Sequence, residues 1–424
     1  MGVAAGERAT TPCATLSSGG AGDLRNGVAL AARPETEVTM TVLHLAVDYT
    51  TPQRPRTTMA IEWFVDSLDT FENVVVAYKR TPRTPALPVT HVIDEQTVYH
   101  FPFFGLPFGL GLHGAMRRAA QRTVALLERD GIRPDLVHAH KLTFEGIAGW
   151  YVARHFGVPL FVSLRGEVET KVFRRKPALR AFLRRVSHDA AKLYFVSAWF
   201  RGEFHAHVSP QPAKEALLPN IVRNVTSTIV SQPAGDAFVS VLNLDTWKRK
   251  GLRWLLDAVG IALRQESELR LDIIGGGSPR NVAKVVSMIA ERKLQNVVTL
   301  VGQIPNAELL RRLPTYRGLL LPSLNETFGM VYVEALFAGI PVLMTANTAI
   351  DGYLVGLDVA RTAPPRDVGA IAAAILELSS CNAELRANIA AAAAQLFARF
   401  DPATAVRGYT ADVRHAIARS TPYE

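Results

Sequence analysis

Residues 320–345, LLPSLNETFGMVYVEALFAGIPVLMT, decide the fold that this chain is expected to adopt. A short apolar run is followed by a polar turn at residues 325–327, and a helical pattern of apolar side chains begins near Gly329. Gly339 is placed to end that helix, and residues 341–344 form a second apolar run. The stretch therefore predicts a buried strand, a turn, a helix and a second buried strand.

The predicted turn and helix carry two carboxylates, Glu326 and Glu334. The unpaired N–H groups and the positive dipole end of a helix favour an anion such as a phosphate. Glu334 would lie roughly 8 Å along the helix axis from Gly329, so one acid would stand on each side of a bound phosphate. Both carboxylates can accept hydrogen bonds from sugar hydroxyls. The spacing alone equally allows a helix-capping acid and an ordinary exposed helix glutamate.

The sequence NETFGMVYVEALFAGIPV resembles the E-x7-E signature of the family-4 retaining glycosyltransferases, and the surrounding pattern PSLxExFGxxxxEAxxxGxPV is matched nearly throughout. The resemblance implies the α/β GT-B fold, in which two Rossmann-like domains face each other across a cleft. It also implies that Glu326 contacts the hydroxyls of a donor hexose and that Glu334 contacts the ribose of the nucleotide. No cofactor or metal ion is expected.

Composition sets broad limits on the class of protein. The chain has 424 residues, of which 48% are apolar, so two domains with substantial cores are expected. Two cysteines argue against a disulfide framework and fit a reducing compartment, here the cytoplasm. No apolar run is long enough to cross a membrane. The net charge of +9 favours anionic partners such as nucleotides, phosphorylated lipids or the acidic inner face of a membrane.

The first residues, 1–39, are predicted to form a disordered extension, because they are rich in small and polar residues without an apolar period. They lack the apolar core of a secretory signal, and their acidic residues argue against a transit peptide. Met40 immediately precedes the first predicted strand and is a candidate for the true start. Mass spectrometry of the native N-terminus would decide this.

Residues 40–222 are predicted to form an acceptor-side Rossmann-like domain. The segments PDLVHAH, at residues 134–140, and GVPLFVSLRGE, at residues 157–167, resemble strands of the family. Since polar groups at the carboxyl ends of parallel strands line the ligand crevice, His138, His140 and Arg165 are expected at the inter-domain cleft. His138 and Arg165 are assigned catalytic roles and His140 an acceptor-side role. Arg165 stays protonated and would bind an anion, and two histidines alone give little support for zinc.

The loop after the first strand departs from the family pattern. Relatives carry a Gly-Gly pair there, whereas this loop is DYTTPQRPRTTMA and contains no glycine. Arg54 and Arg56 could supply charge on the acceptor side, or they could be solvated loop residues.

Two further segments raise the question of a membrane. Lys171 to Arg185 contains seven basic residues and no acid, so it either docks on anionic lipid headgroups or is a solvated face. Without interleaved aromatic residues, nucleic acid is not an expected partner. Phe101 to Gly114, rich in Gly, Pro and Phe, is interpreted as a loop that faces the acceptor or a membrane, or that packs on its own domain.

After a linker at residues 223–238, residues 239–400 are predicted to form the nucleotide-sugar domain, and residues 401–424 to return as helices to the first domain. The segment TWKRKGL resembles the family's KG helix start, which implies that Lys250 contacts the donor diphosphate. Because the family's Gly-Arg element is absent, Lys248 and Arg249 are assigned the second positive charge. The remaining donor-binding assignments are Gly302 and Gln303 beside the base, and Thr327, Phe328 and Gly329 at the helix start.

The sequence therefore predicts a retaining glycosyltransferase that moves a hexose from a nucleotide diphosphate sugar to a saccharide or lipid-linked acceptor, in cell-surface or exopolysaccharide biosynthesis. A nucleotide-sugar epimerase can share the fold and remains an alternative. A degenerate donor-binding partner protein is a second alternative, since the Gly-Gly, Gly-Arg and PNGVD elements of the family are missing.

Overall fold

The computed structural model describes residues 40–52, 58–81, 87–93, 96–230 and 232–420. The predicted disordered extension, residues 1–39, lies outside the described residues. Arg54 and Arg56, which were assigned to the acceptor side, also lie outside them.

The first half of the chain forms an eight-stranded sheet that is covered by helices. Its strands are β1 Thr41–Ala46, β2 Glu72–Thr81, β3 Val89–Ile93, β4 Gln96–Phe104, β5 Leu136–Ala139, β6 Leu160–Leu164, β7 Lys192–Phe195 and β8 Glu215–Leu217. They are ordered β3-β4-β2-β1-β5-β6-β7-β8, and all neighbours are parallel except β3, which runs antiparallel to β4. The helices are α1 Ala60–Asp66, α2 Leu112–Arg129, α3 Glu145–Phe156, α4 Glu167–Arg175, α5 Pro177–Asp189 and α6 Phe200–His205.

The second half forms a six-stranded sheet in which all paired strands are parallel. Its strands are β9 Ala237–Val241, β10 Arg270–Ile274, β11 Val298–Gly302, β12 Leu319–Leu320, β13 Val342–Thr345 and β14 Ala360–Ala363. Its helices are α7 Leu252–Ala262, α8 Pro279–Glu291, α9 Asn306–Arg312, α10 Met330–Phe337, α11 Val368–Ser380, α12 Asn382–Ala391 and α13 Ala393–Phe400. The order β11-β10-β9-β12-β13-β14 is that of a doubly wound Rossmann sheet.

The prediction of two Rossmann-like α/β sheets is therefore confirmed. In the second sheet the strand order reverses between β9 and β12. Ligands of such sheets bind beyond the carboxyl ends of the strands at this switch point. The two loops that leave it are the ones that contain Lys250 and Glu326.

One local prediction was wrong, and the structure adds detail to two other elements. Phe101 to Phe104 belongs to β4 and not to a loop. The Phe101 and Phe103 side chains are buried in the core, and this burial favours a strand although Pro102 between them disfavours one. The basic segment forms two helices, α4 and α5, because Pro177 starts a new helix. Helix α10 is buried on most of its surface and not on one face only, because it lies within the apolar core formed by the helices and strands of the second domain.

The last helix, α14 Pro402–Ser420, leaves the second sheet and packs on the first. The Tyr409 hydroxyl is 3.0 Å from His138 Nδ1, and the Asp412 carboxylate accepts hydrogen bonds from Lys192 and Tyr194, each at 2.7 Å. A cavity of about 290 Å³ lies beside this crossing, lined by residues of β7 and β8, by Tyr353 and by α13 and α14. The contacts of α14 with the first sheet are therefore specific and partly buried.

Within the described ranges no single helix has both the length and the apolarity to cross a membrane. Helices α11 and α12 pass such a test only as a pair, and they are bent by 77° at the break between them.

Tyr409 tests the importance of this crossing for stability. Its side chain is 1% exposed and contacts the rings of Phe64, His138 and Tyr194. We expect Tyr409→Ala to lower the free energy of unfolding by about 3–5 kcal/mol, as for other large buried side chains. Urea unfolding followed by fluorescence measures this.

The control for this prediction is Arg414→Ala, an exposed position on the same helix, which we expect to change stability by less than about 0.5 kcal/mol. Equal unfolding midpoints for the two variants would show that the packing of α14 on the first sheet contributes little.

Candidate functional site

The loops that follow β9 and β12 lie in direct contact. The Leu324 N–H donates to the Arg249 carbonyl at 2.8 Å. Gly251, between the first of these loops and α7, has a φ of 74°, and a Cβ there would lie 2.0 Å from the Pro322 carbonyl oxygen. Glycine is therefore required at this position both for the backbone conformation and for the close approach of the two loops.

This approach joins Lys250 to Glu326. The Lys250 Nζ lies 2.5 Å from Glu326 Oε2, and the two side chains are 16% and 9% exposed. A hydrogen bond between an ammonium and a carboxylate is stronger than one between neutral groups, and each group compensates the partly buried charge of the other. The cation predicted to bind a diphosphate and the carboxylate predicted to bind a sugar are thus in contact at the carboxyl edge of the second sheet.

The turn between β12 and α10 is held in one conformation by its own residues. Gly329, at the start of α10, has a φ of 72°, and a Cβ there would lie 2.5 Å from the Tyr332 ring and 3.0 Å from Glu326 Cγ. The Tyr332 hydroxyl donates to the Leu321 carbonyl at 2.5 Å. The Phe328 side chain is buried against Tyr353, so only its backbone is placed to face a donor, and its assignment to the donor site stays a prediction.

Glu334 lies next to the loop that was predicted to border the base. It is 8% exposed, and burial raises its pKa, an effect that a side-chain hydrogen bond with Asn306 opposes. Asn306 is the first residue of α9, directly after the loop that begins with Gly302 and Gln303. Gln303 is exposed, and its side chain lies close to Gly276 after β10. The predicted base and ribose contacts are therefore neighbours.

The two other predicted cations of this region differ in position. Arg249 lies against the acidic turn, with its guanidinium 3.5 Å from the Asn325 carbonyl. Lys248 is exposed, and its Nζ lies 5.3 Å from the centre of the Trp247 ring. Of the two, Arg249 is the one that the fold brings beside Glu326.

The acidic turn also contacts the first half of the chain. The Thr327 carbonyl accepts a hydrogen bond from Trp199 Nε1 at 3.1 Å and a second from the Ser197 hydroxyl. Both donors follow β7, and the Tyr353 hydroxyl donates to the Val196 carbonyl at 3.0 Å. The loops at the carboxyl ends of both sheets therefore meet here. Sequence reasoning did not assign a role to Ser197 or Trp199.

His138 and His140 are buried in the core of the first sheet, so neither ring lies at an open surface, and the roles assigned to them stay predictions. His138 is fully buried, with Nδ1 3.0 Å from the Tyr409 hydroxyl and Nε2 2.9 Å from the Ser163 hydroxyl. His140 Nε2 lies 3.1 Å from His44 Nδ1. The ring of His138 is covered by Tyr409 of α14. Residues 401–424 were predicted to return to the first domain, but the sequence did not specify which side chains they would cover.

One ring nitrogen from each of His44, His138 and His140 lies within 4.8 Å of the other two. His44 Nε2 is also 3.0 Å from the Asn73 side-chain oxygen, so protein hydrogen bonds account for five of the six nitrogens. Burial lowers the pKa of His44 to about 4 and holds the pKa values of the other two well below the ordinary range. A hydrogen-bonded cluster of neutral rings explains this geometry without a metal ion.

Arg165 is held by its own domain. Its Nε donates to the His140 carbonyl at 2.9 Å and one terminal nitrogen donates to Asn220 at 3.2 Å. Together with His138 and His140 these two residues border a cavity of about 10 Å³, which is room for one water molecule. Arg165 thus lies at the first domain's side of the site, next to a space too small for a sugar.

Four ionisable residues around Arg165 were missed by sequence reasoning. Lys141 is ion-paired with Asp48, the Val47 N–H donates to Glu145 at 2.7 Å, and the Leu142 N–H donates to Glu169 at 3.2 Å. Burial raises the pKa of Glu145 to about 7, although Lys141 acts to lower it. Asp48 and Lys141 follow β1 and β5 closely, so the rule about carboxyl strand ends could have found them.

Comparison with known families agrees with this geometry. Residues 56–220 match the model described as "Glycosyl transferase 4-like domain", and residues 236–381 match the model described as "Glycosyl transferases group 1". The chain belongs to the family-4-like glycosyltransferases of the GT-B fold. The two matches fall on the two sheets, one on each.

Several proteins resemble this glycosyltransferase over between about a third and nine tenths of its length. Glycogen synthase of Mycobacterium tuberculosis is 25% identical over 307 residues, which are 69% of this chain and 71% of that protein. The amylovoran biosynthesis glycosyltransferase AmsK of Erwinia amylovora is 30% identical over 166 residues, 38% of this chain and 40% of its own. The structure of Anabaena HepE in complex with UDP has a TM-score of 0.65 at 16% identity, and the match covers 89% of this chain and all of that one.

The histidine cluster predicts a pH dependence for the stability of this glycosyltransferase. The unfolded chain binds protons on these histidines below about pH 6.5, whereas the folded chain keeps them neutral. The stabilisation is therefore complete above that pH and is lost as the pH falls. We expect each histidine to contribute a slope of up to about 1.4 kcal/mol per pH unit.

Urea unfolding at a series of pH values measures this slope. His44→Gln should flatten it between about pH 6.5 and pH 5, whereas the exposed His415→Gln should keep the slope of the parent chain. A parent chain whose free energy of unfolding does not change over this interval would contradict the assignment of neutral buried rings.

Proposed function

We propose that this glycosyltransferase transfers a hexose, with retention of configuration, from a nucleotide diphosphate sugar to a hydroxyl of a saccharide or lipid-linked acceptor. The contact between Lys250 and Glu326 at the switch point of the second sheet is the observation that carries this proposal. It supports a donor whose diphosphate faces the lysine and whose sugar faces the carboxylate.

Leaving-group stabilisation is the main chemical requirement of this transfer. Negative charge develops on the diphosphate as the bond to the sugar breaks, and a fixed cation and a helix N-terminus both favour it. Lys250 and the first turn of α10 lie together at the acidic turn, and Arg249 lies beside them. The transition state would thus be stabilised by groups that the fold already holds in place.

The acceptor would be positioned by the first domain. Glu326 and Glu334 belong to the same turn and helix, so they do not act as the pair of carboxylates that a glycosidase places on both sides of the sugar. Front-face transfer, in which the departing phosphate oxygen takes the acceptor proton, fits the absence of an assigned general base. Arg165, Asp48 and Lys141 are polar groups that follow the carboxyl ends of β6, β1 and β5 in the first domain.

The relatives support the kind of donor and acceptor. HepE has been solved with UDP, one relative is named glycogen synthase, and AmsK is named for the biosynthesis of amylovoran. By analogy, this enzyme would act in cell-surface or exopolysaccharide biosynthesis in the cytoplasm, without a cofactor or a metal ion. Resistance of the reaction to a chelator would support the last point.

When a donor binds, Lys250 and Glu326 must each give up the other as hydrogen-bond partner and contact the donor instead. A buried charge that loses its partner costs several kcal/mol, so the pair protects both groups while no donor is bound. Sugar hydroxyls can donate to Glu326 and a diphosphate can accept from Lys250, so that a bound donor satisfies both groups at once. The ion pair between Lys250 and Glu326 is therefore compatible with a donor site at this position.

Two substitutions test the assignment. Glu326→Ala should abolish transfer while leaving the fold intact, because the donor sugar loses its hydrogen-bond acceptor. Lys250→Ala should raise the barrier by about 2–4 kcal/mol if the lysine stabilises the leaving group. The measurement is a screen of nucleotide sugars that follows release of the nucleoside diphosphate, with calorimetry of nucleotide binding and circular dichroism of each variant.

The matched controls remove the same charges from exposed positions of the second domain, Glu268→Ala and Lys284→Ala, and should keep the parent rate. An unchanged rate in Glu326→Ala or Lys250→Ala would refute the role of that residue. Binding of a nucleotide with no turnover of any donor would instead indicate a donor-binding protein without transferase activity.

A further inference from the structure

Exposed apolar side chains are concentrated in one segment of the first domain. In the part of the chain that the structure describes, ten large apolar side chains are exposed, and six of them lie between Leu87 and Leu110. These six are Leu87, Val89, Val92, Phe104, Leu106 and Leu110. The other four are scattered over four different regions of the chain, as is normal for a soluble surface.

Three of these side chains lie within seven residues of sequence. We call this segment, residues 104–110, the apolar loop; it begins at the last residue of β4. Phe104, Leu106 and Leu110 are 39%, 43% and 61% exposed. The apolar loop follows the carboxyl end of β4, which is parallel to β2 and β1. It therefore lies at the same edge of the first sheet as Asp48, Lys141 and Arg165.

Cationic side chains contact the apolar loop from two directions. The Lys176 ammonium donates to the Gly109 carbonyl at 2.9 Å, and Arg80 packs against Gly105 with one guanidinium nitrogen 3.5 Å from the Leu106 carbonyl. Lys176 links the loop to helices α4 and α5, where no residue from Lys171 to Arg185 is acidic. Arg174 and Arg175, just before it, are exposed.

An exposed apolar loop beside a band of one charge matches the chemistry of an anionic lipid surface. Lipid headgroups attract the cations, while leucine and phenylalanine side chains leave water by entering the boundary between headgroups and acyl chains. An acidic protein surface would use the cations but would not by itself require the protruding apolar side chains. A neutral partner would leave the cations unpaired.

We propose that the first domain docks on anionic membranes through the apolar loop and the basic helices α4 and α5. The docking itself is independent of catalysis, but its purpose rests on the proposed function. Because the apolar loop lies at the carboxyl edge of the first sheet, a membrane there would present a lipid-linked acceptor to the side of the site that holds Arg165. The acceptor class is thus a saccharide carried by a lipid, and not a freely diffusing sugar.

Co-sedimentation of the full chain with phospholipid vesicles tests the proposal. The chain should sediment with vesicles that contain phosphatidylglycerol, much less with pure phosphatidylcholine, and less when salt is added. Arg174→Gln with Arg175→Gln should weaken binding on the order of twentyfold, since each surface cation contributes roughly fivefold. Leu106→Ser with Leu110→Ser should reduce the fraction bound that resists salt.

Matched controls use exposed residues far along the chain. Arg414→Gln with Arg419→Gln removes two charges from α14, and Val286→Ser removes an exposed apolar side chain from α8, so both should bind as the parent does. Release of nucleoside diphosphate with a lipid-linked acceptor that is dispersed in detergent, without vesicles, should stay unchanged in the loop and helix variants. That assay separates failure of docking from failure of the proposed function.

Three outcomes would overturn the proposal. The first is no sedimentation with anionic vesicles at low salt. The second is equal sedimentation with neutral and anionic vesicles. The third is equal loss of binding in the controls and in the loop or helix variants, which would place the contact elsewhere. Binding to polyglutamate in preference to anionic vesicles would indicate an acidic protein partner instead.

Discussion

The structure depends on the close approach of two loops at the switch point of the second sheet. Gly251 allows the loop after β9 to touch the backbone at Pro322, and this contact brings Lys250 within 2.5 Å of Glu326. Any side chain at position 251 would separate the loops and with them the two charges. The geometry of the donor site is thus set by a glycine that itself binds nothing, because close backbone approach needs a position without a Cβ.

The second half of the chain could be predicted well from the sequence, because strand, turn and helix signals there agree with one another. Glu326, Lys250 and the helix at Gly329 lie together as the motif implied. The first half was predicted less well. Pro102 and the surrounding glycines concealed β4, whose aromatic side chains are buried by contacts distant in sequence. Local composition does not record such contacts.

The predicted catalytic histidine shows why strand ends alone are an incomplete guide. His138 is at the carboxyl end of β5, as the rule for parallel sheets requires, yet Tyr409 covers it from a helix 271 residues later in the chain. Asp48, which follows β1, and Lys141, which follows β5 itself, form an ion pair at the same edge. Whether a residue at this edge is covered depends on where α14 packs. Hydrophobic periodicity predicts that α14 is a helix, but it does not predict which surface the helix packs on.

The packing of α14 on the first sheet also means that the polypeptide passes between the two halves twice, once before β9 and once before α14. The two halves are therefore joined by two covalent passages and by the hydrogen bonds that Ser197 and Trp199 donate to the Thr327 carbonyl. A substitution in α14 can thus affect the donor-side loops without lying near them, because the helix is part of the connection between the two sheets.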